Sequence, residues 1–252
     1  MAWRTTRACA LVAIVAAAAG CGRGRRDARD AAPAPRGPVW GQVTVDGRPQ
    51  GRVSVVLAGA DGRAVASTWA DGEGRFELAA PAGAYDGGPR WVVAKLHDPV
   101  IGAAAAPWST PSPIALAVAG DATATLDVII ELPPGADLDH SVELELTPDA
   151  LVGLPDAATQ TLPYDGTGGA VSAYHTTRVI GTRRRLRLMR GVYQLRASSI
   201  VDRGTTREPH PPDWIADHAI RADGTTVAAK GGTLHLAVDG DAALRVIMVP
   251  TD

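Results

Sequence analysis

A chain of 252 residues with 46% hydrophobic content has enough apolar material to bury a core, so it is not disordered as a whole. A formal net charge of −2 excludes the strong basic field by which nucleic-acid binders attract phosphate, so no nucleic-acid partner is expected. The two cysteines, Cys9 and Cys21, both lie near the N-terminus, which excludes a disulfide scaffold and a cysteine zinc site in the folded part.

Residues 1–21 read MAWRTTRACALVAIVAAAAGC. Arg4 and Arg7 precede the uncharged apolar run Ala8–Ala19. That run is shorter than the about 20 residues a membrane-spanning helix needs, and it suits the core of a secretory signal. Ala18-Ala19-Gly20-Cys21 resembles the lipobox of bacterial lipoproteins, with Ala18 standing where Leu is usual. The resemblance implies that residues 1–20 are removed and that Cys21 is acylated, with palmitate among the chains, as the first residue of the mature protein. An ordinary cleaved signal with an incidental Cys is the simpler alternative. Residues 21–38 read as an acylated Cys followed by a flexible tether, where five arginines face only Asp27 and Asp30. Signal and tether are both cationic, which leaves about −7 on residues 39–252. The expected location is the bacterial cell envelope, lipid-anchored. Gly22, in place of the Asp that signals inner-membrane retention in well-studied lipoproteins, favours the outer membrane.

From Val39 the pattern changes to strands. Trp40, Gln42 and Thr44 alternate with Gly41, Val43 and Val45, the period-2 signature of a strand, and Asp46-Gly47 makes a turn. Arg52–Leu57 is a second strand, with Val53, Val55 and Leu57 on one face. Asp61-Gly62 leads into a third at Arg63–Trp69, and Asp71-Gly72-Glu73-Gly74 into a fourth at Arg75–Ala79. Asp71 is placed to accept backbone N–H groups of its own turn, Gly74 frees the return, and Phe76 points inward.

The run Gly41-Gln42-Val43, Asp46-Gly47-Arg48-Pro49, Val53-Ser54-Val55, Asp61-Gly62, Asp71-Gly72-Glu73-Gly74-Arg75-Phe76 and Pro81-Ala82-Gly83-Ala84-Tyr85 resembles the carboxypeptidase regulatory-like domain. The resemblance implies a transthyretin-like β-sandwich whose motif residues hold the fold and carry no catalysis. Ala70 departs from the usual Thr, and Asp86-Gly87-Gly88-Pro89 intervenes before a strand at Trp91–Leu96. Gly102–Pro113 reads as a surface excursion, while Ile114–Val118 and Thr123–Leu132 are expected to complete this sandwich.

Leu132-Pro133-Pro134-Gly135 marks a boundary. Beyond it, Ser141–Thr147, Ala170–Ile180, Arg183–Leu188 and Gly191–Ala197 read as strands, and Thr233–Val238 and Ala243–Val249 as a closing pair around Asp239-Gly240. Pro148–Pro163 is turn-rich, Gly166–Gly169 is a loop, and Thr205–Ala219 reads as a long irregular loop. The sequence therefore predicts an all-β protein. A signal (1–20) and a tether (21–38) precede two antiparallel β-sandwich domains, 39–133 and 134–252.

Candidate sites are few. His210, Asp213, Trp214 and His218 share the long loop and with Trp108 form the candidate ligand-binding set. The plainer reading is that Trp214 plugs a sandwich end and the histidines are solvated. Arg183, Arg184, Arg185 and Arg187 form a candidate anion site, or else a solvated or charge-protected strand edge. Trp40, Trp69, Trp91 and Trp108 include candidates for a sugar-stacking platform, or they fill the core. No nucleophile elbow, zinc-protease motif or phosphate loop is present, so neither catalytic residues nor a metal or cofactor is expected. The function these features indicate is a non-catalytic envelope module, held by the membrane through its lipid. It would be structural, or would bind an envelope protein or polysaccharide, the latter through exposed Trp residues. A hydrolase site in the second domain is the remaining alternative.

Overall fold

Alternation across a strand puts successive side chains on opposite faces. In the computed structural model the opening strand buries Val39, Gly41, Val43 and Val45 and leaves Trp40 and Gln42 exposed. The structure describes residues 38–59, 62–79, 91–109, 112–134, 141–162, 174–179, 182–200 and 214–251. The expected signal, Cys21, the tether up to residue 37, Tyr85, the Gly166–Gly169 loop, His210 and Asp213 lie outside the described residues.

In chain order the elements are β1 (Val39–Val45), β2 (Arg48–Pro49), β3 (Ser54–Ala58), β4 (Ala64–Trp69), β5 (Arg75–Leu78), β6 (Trp91–Leu96), β7 (Gly102–Pro107), β8 (Ile114–Val118), β9 (Thr123–Glu131) and β10 (Ser141–Leu151). The short helix α1 (Asp156–Thr159) is followed by β11 (His175–Val179), β12 (Arg183–Met189), β13 (Gly191–Ile200), β14 (Trp214–Arg221), β15 (Thr226–Ala228), β16 (Thr233–Val238) and β17 (Ala242–Pro250). The protein is all-β. In one sheet β1 is flanked by β2 and β5 along one edge and by parallel β8 along the other. A second sheet runs β4-β3-β6-β7, antiparallel throughout. The third runs β11-β10-β13-β14-β17-β9-β12, with β15 on β14 and β16 on β13.

Two glycines make the first sheet possible. A Cβ on Gly41 would lie 2.0 Å from the Ile114 carbonyl oxygen, so only glycine lets β8 come alongside β1. Gly74 has φ +72° and a Cβ there would meet the Val43 oxygen at 2.5 Å, so the turn before β5 needs glycine twice over. Asp71 accepts from the backbone N–H of Glu73 at 2.9 Å and of Arg75 at 2.8 Å, and Phe76 is buried, as the turn sequence predicts.

Several expectations are corrected. Gly102–Pro113 is no surface excursion: β7 pairs with β6 along its length and buries Gly102, Ala103 and Ala104. Alanines carry little strand propensity, and here burial against the neighbouring sheet overrides it. On β3 the expected inward set Val53, Val55 and Leu57 is buried, and Val56 and Ala58 on the other face are buried as well. β9, expected to complete the first sandwich, pairs antiparallel with β12 and parallel with β17, so it belongs to the large sheet. Residues 214–219 are strand, not loop, since β14 is held between β13 and β17. β16 and β17 are not a hairpin: β16 joins β13 and β17 joins β14 and β9. The buried residues of all three sheets form one continuous core. No described helix is long and apolar enough to cross a membrane.

Candidate binding cleft

β1 and β5 run antiparallel with Trp40 opposite Glu77 and Gln42 opposite Arg75. All four side chains therefore share the outward face of the first sheet. From the neighbouring sheet, β4 ends on Trp69 just before the Asp71 turn that starts β5. These elements border an open, shallow cleft of about 590 Å³ between Trp40, Trp69, Gln42, Asp71, Arg75 and Glu77, floored in part by Gly41 and Phe76. Trp40 keeps 50% and Trp69 68% of its surface exposed. An indole is a large apolar body, and two left in water along one cleft are costly unless something covers them.

The polar wall is fixed by the local fold. Asp71 is held by the turn amides, and its carboxylate pairs with Arg75 Nε at 3.0 Å. The Arg75 backbone N–H outweighs the opposing effect of desolvation and, with the Arg75 guanidinium and the Glu73 N–H, holds the Asp71 carboxyl below the usual carboxylate range. Gln42 Nε2 donates to the Glu73 carbonyl at 2.9 Å, and its Oε1 remains an acceptor. Trp40 donates its backbone N–H to Ser112 Oγ at 3.2 Å, tying β1 to the segment before β8.

The residues singled out from sequence fall elsewhere. Trp108 is 3% exposed and part of the core, so its ring offers no face to a ligand. Trp214, the first residue of β14, packs half-buried against the core and donates its N–H to Ser199 Oγ at 2.9 Å. His218 stands on the same strand with Nδ1 2.8 Å from Asp217 Oδ2. Among the described residues no group of three His, Cys, Asp or Glu is placed to hold a metal ion.

Two carboxylates offset half of the charge of the arginine cluster. On β12, Arg183 and Arg185 both reach Asp127 of β9, at 2.8 and 3.1 Å, and Arg187 pairs with Asp46 at 2.8 Å. Arg184 is exposed beside Leu186 on the opposite face; burial, and after it the Arg184 charge, lowers the pKa of His175. Three of the four cations thus already hold carboxylates. Sequence reading named Trp40 and Trp69 only among four tryptophans. The signal that sorts them was present for Trp40, which shares the polar side of its strand with Gln42 and Thr44.

No family model matches the chain, and no curated protein matches it. Among solved structures, the major pilin T-13 of Streptococcus pyogenes is 11% identical over 84% of this chain and 95% of that one, with a TM-score of 0.29. The shaft pilin SpaA of Lactobacillus rhamnosus GG is 10% identical over 85% and 98%, with a TM-score of 0.25. The TIE protein of Bacillus anthracis is 11% identical over 84% of this chain, which spans 34% of that protein, with a TM-score of 0.24. Such scores assign neither topology nor function.

Proposed function

We propose that the chain is a non-catalytic lipoprotein of the bacterial cell envelope that holds a binding cleft out from the membrane. The lipobox-like Ala18-Ala19-Gly20-Cys21 supports the anchor, and the cationic tether supports placement beside anionic headgroups. The motif shared with carboxypeptidase regulatory-like domains supports a binding rather than an enzymatic role. Its Asp71, Gly74 and Phe76 are occupied with turn and core. The observation that carries the reading is the pair of exposed indoles, Trp40 and Trp69, along one cleft on strand-borne, rigid positions.

Two measurements test it. Fatty-acid labelling in cells should be lost in Cys21→Ser, and label retained in that variant removes the anchor. Full-length protein in mild detergent, which masks its acyl chains, should be retained by detergent-washed cell envelopes, and Trp69→Ala should weaken retention about tenfold, the effect of losing about 1.4 kcal/mol. Equal retention of both proteins would show that the cleft is not the binding face.

A further inference from the structure

We infer that the Trp40–Trp69 cleft takes an uncharged polysaccharide, an assignment that rests on the cleft being the binding face. The ring faces of a pyranose carry axial C–H groups and are apolar, while its rim carries hydroxyls. A ligand of that kind wants flat apolar platforms beside mixed donors and acceptors, and the cleft has both. Trp40 and Trp69 supply exposed indole faces. Gln42 presents an acceptor, and Glu77, directly across from Trp40, presents a carboxylate that two adjacent hydroxyls can share.

Charge opposes anionic occupants. Among the described residues the lining holds a single cation, Arg75, against two carboxylates, Asp71 and Glu77, and Arg75 is tied to Asp71. Phosphate, uronate or an anionic lipid surface would meet net negative charge there, in a folded part of about −7. A neutral polyhydroxyl chain meets no such barrier. The same charge count opposes a second copy of the cleft, since two such clefts face to face would bring four carboxylates together with two cations already engaged. Strands fix the backbone of both platforms before binding, so only side-chain rotamers remain to be ordered when the ligand arrives.

The test uses full-length protein in mild detergent, run in native gels cast with glycogen, galactomannan, xyloglucan or glucomannan, all of which carry vicinal diols. At least one polymer should retard the wild type, and Trp69→Ala and Trp40→Ala should each weaken that retardation at least tenfold. Trp69→Phe, which keeps a smaller aromatic face, should fall between. Both indoles are largely exposed, so these variants keep the fold, and an unchanged unfolding midpoint checks this. Retardation by none of the four, or retardation untouched by the Trp substitutions, overturns the assignment. A second arm separates this inference from the wider reading. Envelopes whose vicinal diols have been cleaved by periodate should lose Trp69-dependent retention. Undiminished retention would leave the cleft as a binding face and put a protein in it. Trp69-dependent flotation with phosphatidylglycerol vesicles, or Trp69-dependent dimerisation in sedimentation, would equally end the polysaccharide assignment.

Discussion

Gly41 sits where three demands meet: it belongs to the buried face of β1, it pairs with Phe76 on β5, and it pairs with Ile114 on β8. A methyl group there would stand 2.0 Å from the Ile114 oxygen, so backbone has to move. Gly41→Ala is expected to destabilise by about 1–3 kcal/mol, the range for overpacking a well-packed site. Gly72, with open space around its Cβ position and no positive φ, is the matched control. Gly72→Ala should stay within about 0.5 kcal/mol of the parent. Urea midpoints of the two variants check this, and equal midpoints would refute the steric account. The same residue sets the floor of the cleft, so Gly41→Ala should also weaken binding, whereas Gly72→Ala should not. At this scale the sequence was readable. Asp71, Gly74 and Phe76 do what a D-G-x-G turn before a strand requires, because each role depends on neighbours within a few residues. Trp69 was harder. Its exposure follows from β4 being the outer strand of its sheet, and strand order is not local information.

At the level of elements, β12 shows how a strand rich in one charge is accommodated. Arg185 lies directly opposite Asp127 in the antiparallel register and Arg183 lies diagonally, so one carboxylate serves both guanidiniums. Those two side chains hold the Asp127 carboxyl down at about 2. A carboxyl lowered in the fold contributes stability that is fully present above its unfolded value near 3.8 and fades as pH falls through about 2. Asp127→Asn should therefore be less stable than the parent at neutral pH. The gap should close between about pH 4 and pH 2, and it should narrow in high salt because the groups are at the surface. Thermal midpoints across that pH range would show a constant gap if the pairing does not matter. Alternation alone revealed that β12 carries a cationic face. It could not reveal the partner, which lies on a strand more than fifty residues earlier. The same limit explains β7 and β14. Alanine runs and a proline-rich approach look irregular to a local reading, and only the pairing of β7 with β6 and of β14 with β17 makes them strands.

For the whole molecule, the decisive feature is that β9 draws its hydrogen bonds from β12 and β17. Further ties run the same way: Ile101 donates its N–H to the Arg187 carbonyl, and Met189 donates to Ile101, each at 2.9 Å. The Tyr174 hydroxyl donates to the Leu96 carbonyl at 3.1 Å and also contacts the Gly102 carbonyl. Lys95, buried on β6, donates to the carbonyls of Thr161 and Leu162 at 3.0 and 3.3 Å, which fastens the turn after α1 to the second sheet. A chain ending at Pro133 would keep β1–β9 and lose every one of these partners. Leu126, Val128 and Ile130, now at most 3% exposed, would face water along an unpaired strand. Exposing side chains of this size costs about 1.5–3 kcal/mol each, a sum comparable with the 5–15 kcal/mol that typically holds a domain together. The truncated chain is therefore expected to give a collapsed amide spectrum and to aggregate, while the full chain unfolds in one cooperative transition. Well-dispersed amide resonances and a sigmoidal urea transition from residues 39–133 alone would mean that the first part is self-sufficient and that β9 tolerates an open edge.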